Sequence, residues 1–185
     1  MTSIASKLSS YNIFNYLFPG SILCYILHFF SDEKVSSGNI LIDFFVLYFI
    51  GLVVSRIGSL VFSKKISKLF KFDHVCYEDF SKACKEDEKI ELFSEINNCY
   101  RTLTSLFIIV FFGVFFILLF RLAMFFMCPL GQVGFASFLH DNVREVMLLI
   151  ASFLMSVLFV FSYKKQTRYL VKRVLGVSNC RIIMK

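Results

Sequence analysis

Six cysteines and three histidines are the residues of this chain best suited to covalent or metal chemistry. Cys24, Cys76, Cys84, Cys99, Cys128 and Cys180 contain no C-x-x-C pair, and His28, His74 and His140 lie far from one another. Neither a zinc ligand set nor a disulfide framework is therefore expected. The thiols are read as reduced and the histidines as satisfied polar side chains. No P-loop, nucleophile elbow, dinucleotide fingerprint or H-E-x-x-H occurs. Asp43 is the only acid inside an apolar run, so no paired carboxylates are available within one. The expectation is a chain that is not an enzyme and holds no metal or other cofactor.

What remains is polarity set in apolar surroundings. Asn15, Arg56 and Arg121 stand within or near the ends of long apolar runs. Side chains in such places line a pore, pair with another polar group, or reach a lipid headgroup. Gly51, Ser55 and Ser59 repeat every four residues, which on a helix aligns small side chains and lets a second helix approach closely. This stripe is read as the helix-packing and homo-oligomer contact. Tyr77, Phe80, Ile90 and Phe93 are interleaved with charges of both signs. Such a surface combines apolar burial with charge-based specificity, so these four are taken as partner-docking residues.

The elements that must position these residues follow from hydropathy. Hydrophobic residues make up 57% of the 185, with 25 Phe and no Trp, which is too apolar for a soluble domain. Mean hydropathy of +0.71 agrees. Four apolar runs reach spanning length, at residues 11–30, 40–62, 102–127 and 146–163. The predicted fold is all-α and polytopic, two transmembrane hairpins joined by a helical connector over 63–101 and followed by a basic tail over 164–185.

Details within the runs refine this picture. Pro19 and Gly20 should kink the first span. Eight phenylalanines cover every side of the third, from Phe107 to Phe126. Ser152 and Ser156 repeat the small-residue theme in the fourth, which Asn142 and Glu145 open with N-cap to N3 spacing. The first span lacks a cleavage site and is expected to stay attached as an anchor. Met1–Ser10 is mildly amphipathic, and Ile66, Leu69 and Phe70 have the spacing of a helix grazing a membrane surface.

Orientation comes from the bases. The connector and tail carry fifteen Lys and Arg, and the loops 31–39 and 128–145 carry two, Lys34 and Arg144. This bias places both termini and the connector in the cytoplasm. No acid follows Glu145, so the tail is expected to meet anionic lipids, and no direct contact with nucleic acid is expected.

Several short patterns carry a resemblance. They are Tyr11-Asn12-Ile13-Phe14-Asn15-Tyr16-Leu17 with Pro19-Gly20, Arg56-Ile57-Gly58-Ser59, Tyr77-x-x-Phe80, Ser94-Glu95-x-Asn97-Asn98 and Tyr100-Arg101-Thr102. With them the chain resembles small four-span proteins of bacterial antiphage systems, above all the KwaA family, the membrane subunits of the Kiwa system. Membrane accessory proteins of type VI-B CRISPR loci are a second likeness. The resemblance implies a non-enzymatic inner-membrane homo-oligomer, a tetramer, that senses phage-induced membrane disturbance and recruits a cytosolic DNA-acting effector, KwaB. The alternative is an oligomeric channel that depolarises the membrane during infection, lined by Asn15 and Arg56.

Overall fold

The computed structural model describes residues 13–31, 38–62, 68–69, 72, 75–127 and 135–178, and among them there is no strand. The chain opens with a π-helical turn, Ile13–Leu17, which runs into α1, Phe18–Ser31. Helix α2, Ile40–Ile57, ends in a second π-helical turn, Gly58–Phe62. A short α3, Tyr77–Glu86, precedes the long α4, Lys89–Met127. After the seven-residue α5, Phe135–Asp141, comes α6, Val143–Ser178. Met1–Ser10, Ile66, Phe70, His74, Cys128 and Cys180 lie outside the described residues.

Three helices are long and apolar enough to cross a membrane, at Ile40–Val61, Lys89–Met127 and Val143–Val177. The membrane-protein expectation therefore stands in its coarse form. Their lengths differ from the expected spans for a physical reason. At 1.5 Å per residue, the 39 residues of α4 extend about 58 Å and the 36 of α6 about 54 Å, against roughly 30 Å of hydrocarbon. The chain does not break at Thr102 or Tyr163, where the apolar runs meet charged sequence. Both helices continue, so the last third of the expected connector, residues 89–101, is the start of α4, and most of the basic tail is the end of α6.

Two apolar cores result. The larger one gathers Val54 of α2 with Leu103, Leu106, Val110 and Val114 of α4, flanked by Ile22, Leu23 and Ile26 of α1. Helices α4 and α6 pack antiparallel along most of their shared length, and Phe107 stacks on Phe159 at 5.5 Å. The smaller core lies at the charged end, where α3 closes over the projecting parts of α4 and α6. Ala83, Ile90 and Val174 are fully enclosed there, with Phe80, Cys84, Leu170 and Val177 around them.

At the Pro19–Gly20 pair, where a kink was expected, the structure shows a change of winding and a close contact. Winding is π-helical in the turn before Pro19, whose missing N–H forces helical hydrogen bonding to re-register. Gly20 is a contact point. A Cβ there would run into the carbonyl of Leu47, and one at Gly51 into the carbonyl of Tyr16. Each helix of this hairpin thus lends a glycine to the other's backbone.

Candidate functional site

Thr102 is the polar centre of the packing between the π-helical entry, α2 and α4. It is fully enclosed on α4, and its Oγ1 lies 3.0 Å from Asn15 Oδ1, 3.2 Å from Ser55 Oγ and 3.0 Å from the Asn98 carbonyl. A hydroxyl carries one proton, so Thr102 donates to one partner at a time and accepts where a neighbour donates. Asn15 and Ser55 are 1% and 5% exposed. The π-helical entry, α2 and α4 each contribute one group to this junction. Thr104 and Ser105 bond back to the Tyr100 and Arg101 carbonyls, both at 2.8 Å, which keeps their hydroxyls within the helix.

This geometry corrects two sequence expectations. Asn15, read as a pore-lining residue, is enclosed by Thr102 and Ser55 within one chain. Gly51 and Ser55, read as a subunit contact, are covered by the chain's own Tyr16 and Thr102, so the close approach they permit is intramolecular. Ser59 falls in the Gly58–Phe62 π turn and is partly exposed, and Arg56 is exposed. The expected stripe therefore does not run as one face into a single neighbour.

At the charged end, a joint holds the small core together. Asp87 Oδ2 accepts from Arg173 Nε at 2.6 Å, while Asp87 Oδ1 accepts from the Lys89 backbone N–H at 3.0 Å. Asp87 so ends α3 through its backbone N–H, which donates to the Ala83 carbonyl, while its carboxylate caps α4 and ties the joint to α6. The Arg173 hydrogen bond holds the Asp87 carboxyl below the usual carboxylate range. The same guanidinium sits 5.4 Å over the Phe93 ring. Thr167 Oγ1 lies 3.0 Å from Asn97 Oδ1, one turn nearer the apolar region. Burial, and then the charge of Glu91, raise the Cys84 thiol, which marks it as a protonated packing residue.

The expected docking residues divide accordingly. Tyr77 is 80% exposed and free to meet a partner. Ile90 is 0% exposed, and Phe80 packs against the same core. Phe93 lies under Arg173 and is half-buried. These three hold the module together because α6 continues into it and covers the face that a lone connector would have left open. Leu92, at 54% exposure, is an outward apolar residue that the docking expectation missed.

Arg121 also has a partner inside the chain. Its Nη1 donates to Glu145 Oε1 at 2.6 Å and to Asn142 Oδ1 at 2.7 Å, which pins α4 to the start of α6. Asn142 precedes the first residue of α6, as its N-cap reading required, but its side chain oxygen serves Arg121. The pair leaves the Arg121 side chain 47% exposed.

Sequence reasoning missed Thr102, Asp87 and Arg173. Their partners are 47 to 87 positions away, and no local pattern announces a pair across such separations. Among the described residues, no three His, Cys, Asp or Glu side chains gather as a metal site. No protein-family profile, curated protein or solved structure matches the chain.

Proposed function

We propose that the chain is a non-enzymatic scaffold of a bacterial inner membrane that transmits the state of the membrane to a cytosolic effector. In this reading α1, with its π-helical entry, is a fourth span, and the charged end lies in the cytoplasm. One observation carries the proposal: two apolar helices run without interruption into a small core outside the apolar region, clamped by α3 and the Asp87–Arg173 pair. A continuous helix passes on displacement or rotation at its membrane end, whereas a flexible linker would absorb it. The role fits a membrane subunit of a Kiwa-type antiphage complex, assembled as a homo-oligomer with a DNA-acting partner of the KwaB kind. Enclosure of Asn15 removes one of the two lining residues expected of the channel alternative and leaves it Arg56.

The test is copurification from cells that express the chain with its neighbouring genes, alongside phage plating. Tyr77→Ala with Leu92→Ser changes exposed side chains of the module and should remove the cytosolic partner and the protection while membrane insertion and oligomer size persist. Wild-type recovery of the partner with this variant would refute docking on the module. Protection that persists after every neighbouring gene is deleted would refute the scaffold role itself.

A further inference from the structure

We propose that the outward face of α6 binds an anionic glycerophospholipid carrying two phosphates. The proposal rests on the membrane reading above and gives it a specific ligand. Tyr163, Thr167 and Val174 turn one face of α6 toward α4 and α3 and are buried. On the opposite face, Leu154, Leu158, Phe161, Lys165, Arg168 and Lys172 follow one another at three- and four-residue steps. Leu154, Leu158 and Phe161 are 60%, 54% and 58% exposed, and the three cations are exposed as well. A groove of about 440 Å³ runs along the basic half, between Phe161 and Lys172 and with Lys164 at its edge.

The order of chemistry along this ridge is that of a phospholipid. An apolar strip fit for acyl chains passes directly into cations fit for phosphate, on one unbroken helix and with no acid after Glu145 to oppose them. An acidic protein would use the cations and leave the apolar strip without a role. A lipid uses both. Lys165 Nζ lies 5.9 Å over the Tyr169 ring, so the basic half also carries the amphipathic aromatic typical of a headgroup layer.

The spread of charge indicates two phosphates. Lys164 and Lys172 are separated by about 12 Å along the axis, from eight steps of 1.5 Å. Lys164 and Lys165 form a near pair, and Arg168 with Lys172 form a pair one to two turns further out. Each pair matches one singly charged phosphodiester, and the Arg168 fork suits two phosphate oxygens at once.

Thermal unfolding of the purified full-length protein in neutral detergent tests this, with cardiolipin, phosphatidylglycerol or phosphatidylethanolamine added at equal phosphate. Cardiolipin should stabilise most, phosphatidylglycerol less, and phosphatidylethanolamine not at all. Arg168→Gln with Lys172→Gln should weaken the apparent cardiolipin affinity about 30-fold, at about a factor of five for each cation removed. Equal effects of cardiolipin and phosphatidylglycerol on the unaltered protein would overturn the proposal. So would an undiminished cardiolipin effect in the double variant, including the case in which that variant instead loses a copurifying protein. Extraction of the chain from membranes by alkali would refute the spanning reading as a whole, an outcome distinct from the failure of this site.

Discussion

Thr102 shows how one hydroxyl can organise three segments. Removing it while keeping the shape, as Thr102→Val does, takes one hydrogen-bond partner from each of the enclosed Asn15 and Ser55 side chains, and a buried hydrogen bond lost in this way costs about 1–3 kcal/mol. The thermal midpoint in detergent should fall for Thr102→Val and stay near the original for Thr102→Ser. Equal losses for the two would assign the effect to packing and not to the hydroxyl. Gly51→Leu should also lower the midpoint, because its side chain meets the Tyr16 carbonyl and overpacking of this kind costs about 1–3 kcal/mol or more. Oligomer mass should not change. A variant of unchanged midpoint and altered mass would return the stripe to a subunit boundary. The four-residue spacing made a close approach legible in the sequence but not its partner, since an identical stripe serves a neighbouring chain or the preceding helix.

The elements were legible where lipid sets the pattern and less so where it does not. Asn39, read only as the last residue of a loop, caps α2, with the Leu41 N–H donating to its side chain at 3.0 Å. Hydropathy located the apolar stretches of α4 and α6, yet it reports where lipid ends and not where a helix ends. Asn is a weak helix former, yet Asn97 is held within α4 opposite Thr167, so tertiary pairing overrides propensity there. The module they continue into depends on its small core. Ile90→Ala should cost about 2–5 kcal/mol and expose the α3–α4 joint to limited proteolysis, with the apolar region left intact. Acid should act at the same place. The folded Asp87 carboxyl titrates below its unfolded value of about 3.9, so its contribution is present above that pH and is lost as pH falls through the lower folded value. Cleavage at the joint should therefore rise only in strong acid, and Asp87→Asn should show the higher cleavage already at neutral pH. A variant as resistant as the original protein would remove Asp87 from the clamp.

Taken whole, the molecule is a set of rods with most of its charge at one end, and its sidedness can be separated from its span count. Because α4 and α6 are antiparallel, their projecting ends share one side of the membrane whatever that side is. The reading proposed above puts that side in the cytoplasm, on the fifteen bases of the connector and tail against two in the other loops. Single cysteines in a cysteine-free background should thus be shielded from an impermeant reagent in intact cells at Lys82 and Lys172, both exposed on the module, and be reactive at Ser36. Those three positions do not decide whether α1 crosses, because α2 alone separates Ser36 from the module. A cysteine at Ser3 does decide it. If the Ile13–Ser31 segment spans, Ser3 lies on the side of Lys82 and is shielded with it, becoming reactive only after permeabilisation. If the segment lies along the outer surface, Ser3 reacts in intact cells as Ser36 does. Spanning is the expected result, since Gly20 and Gly51 hold α1 against α2 backbone to backbone and Asn15 is bonded to Thr102, near the level where α4 leaves its apolar stretch. Labelling of Ser3 from outside would reduce the protein to three spans and place its two ends on opposite sides.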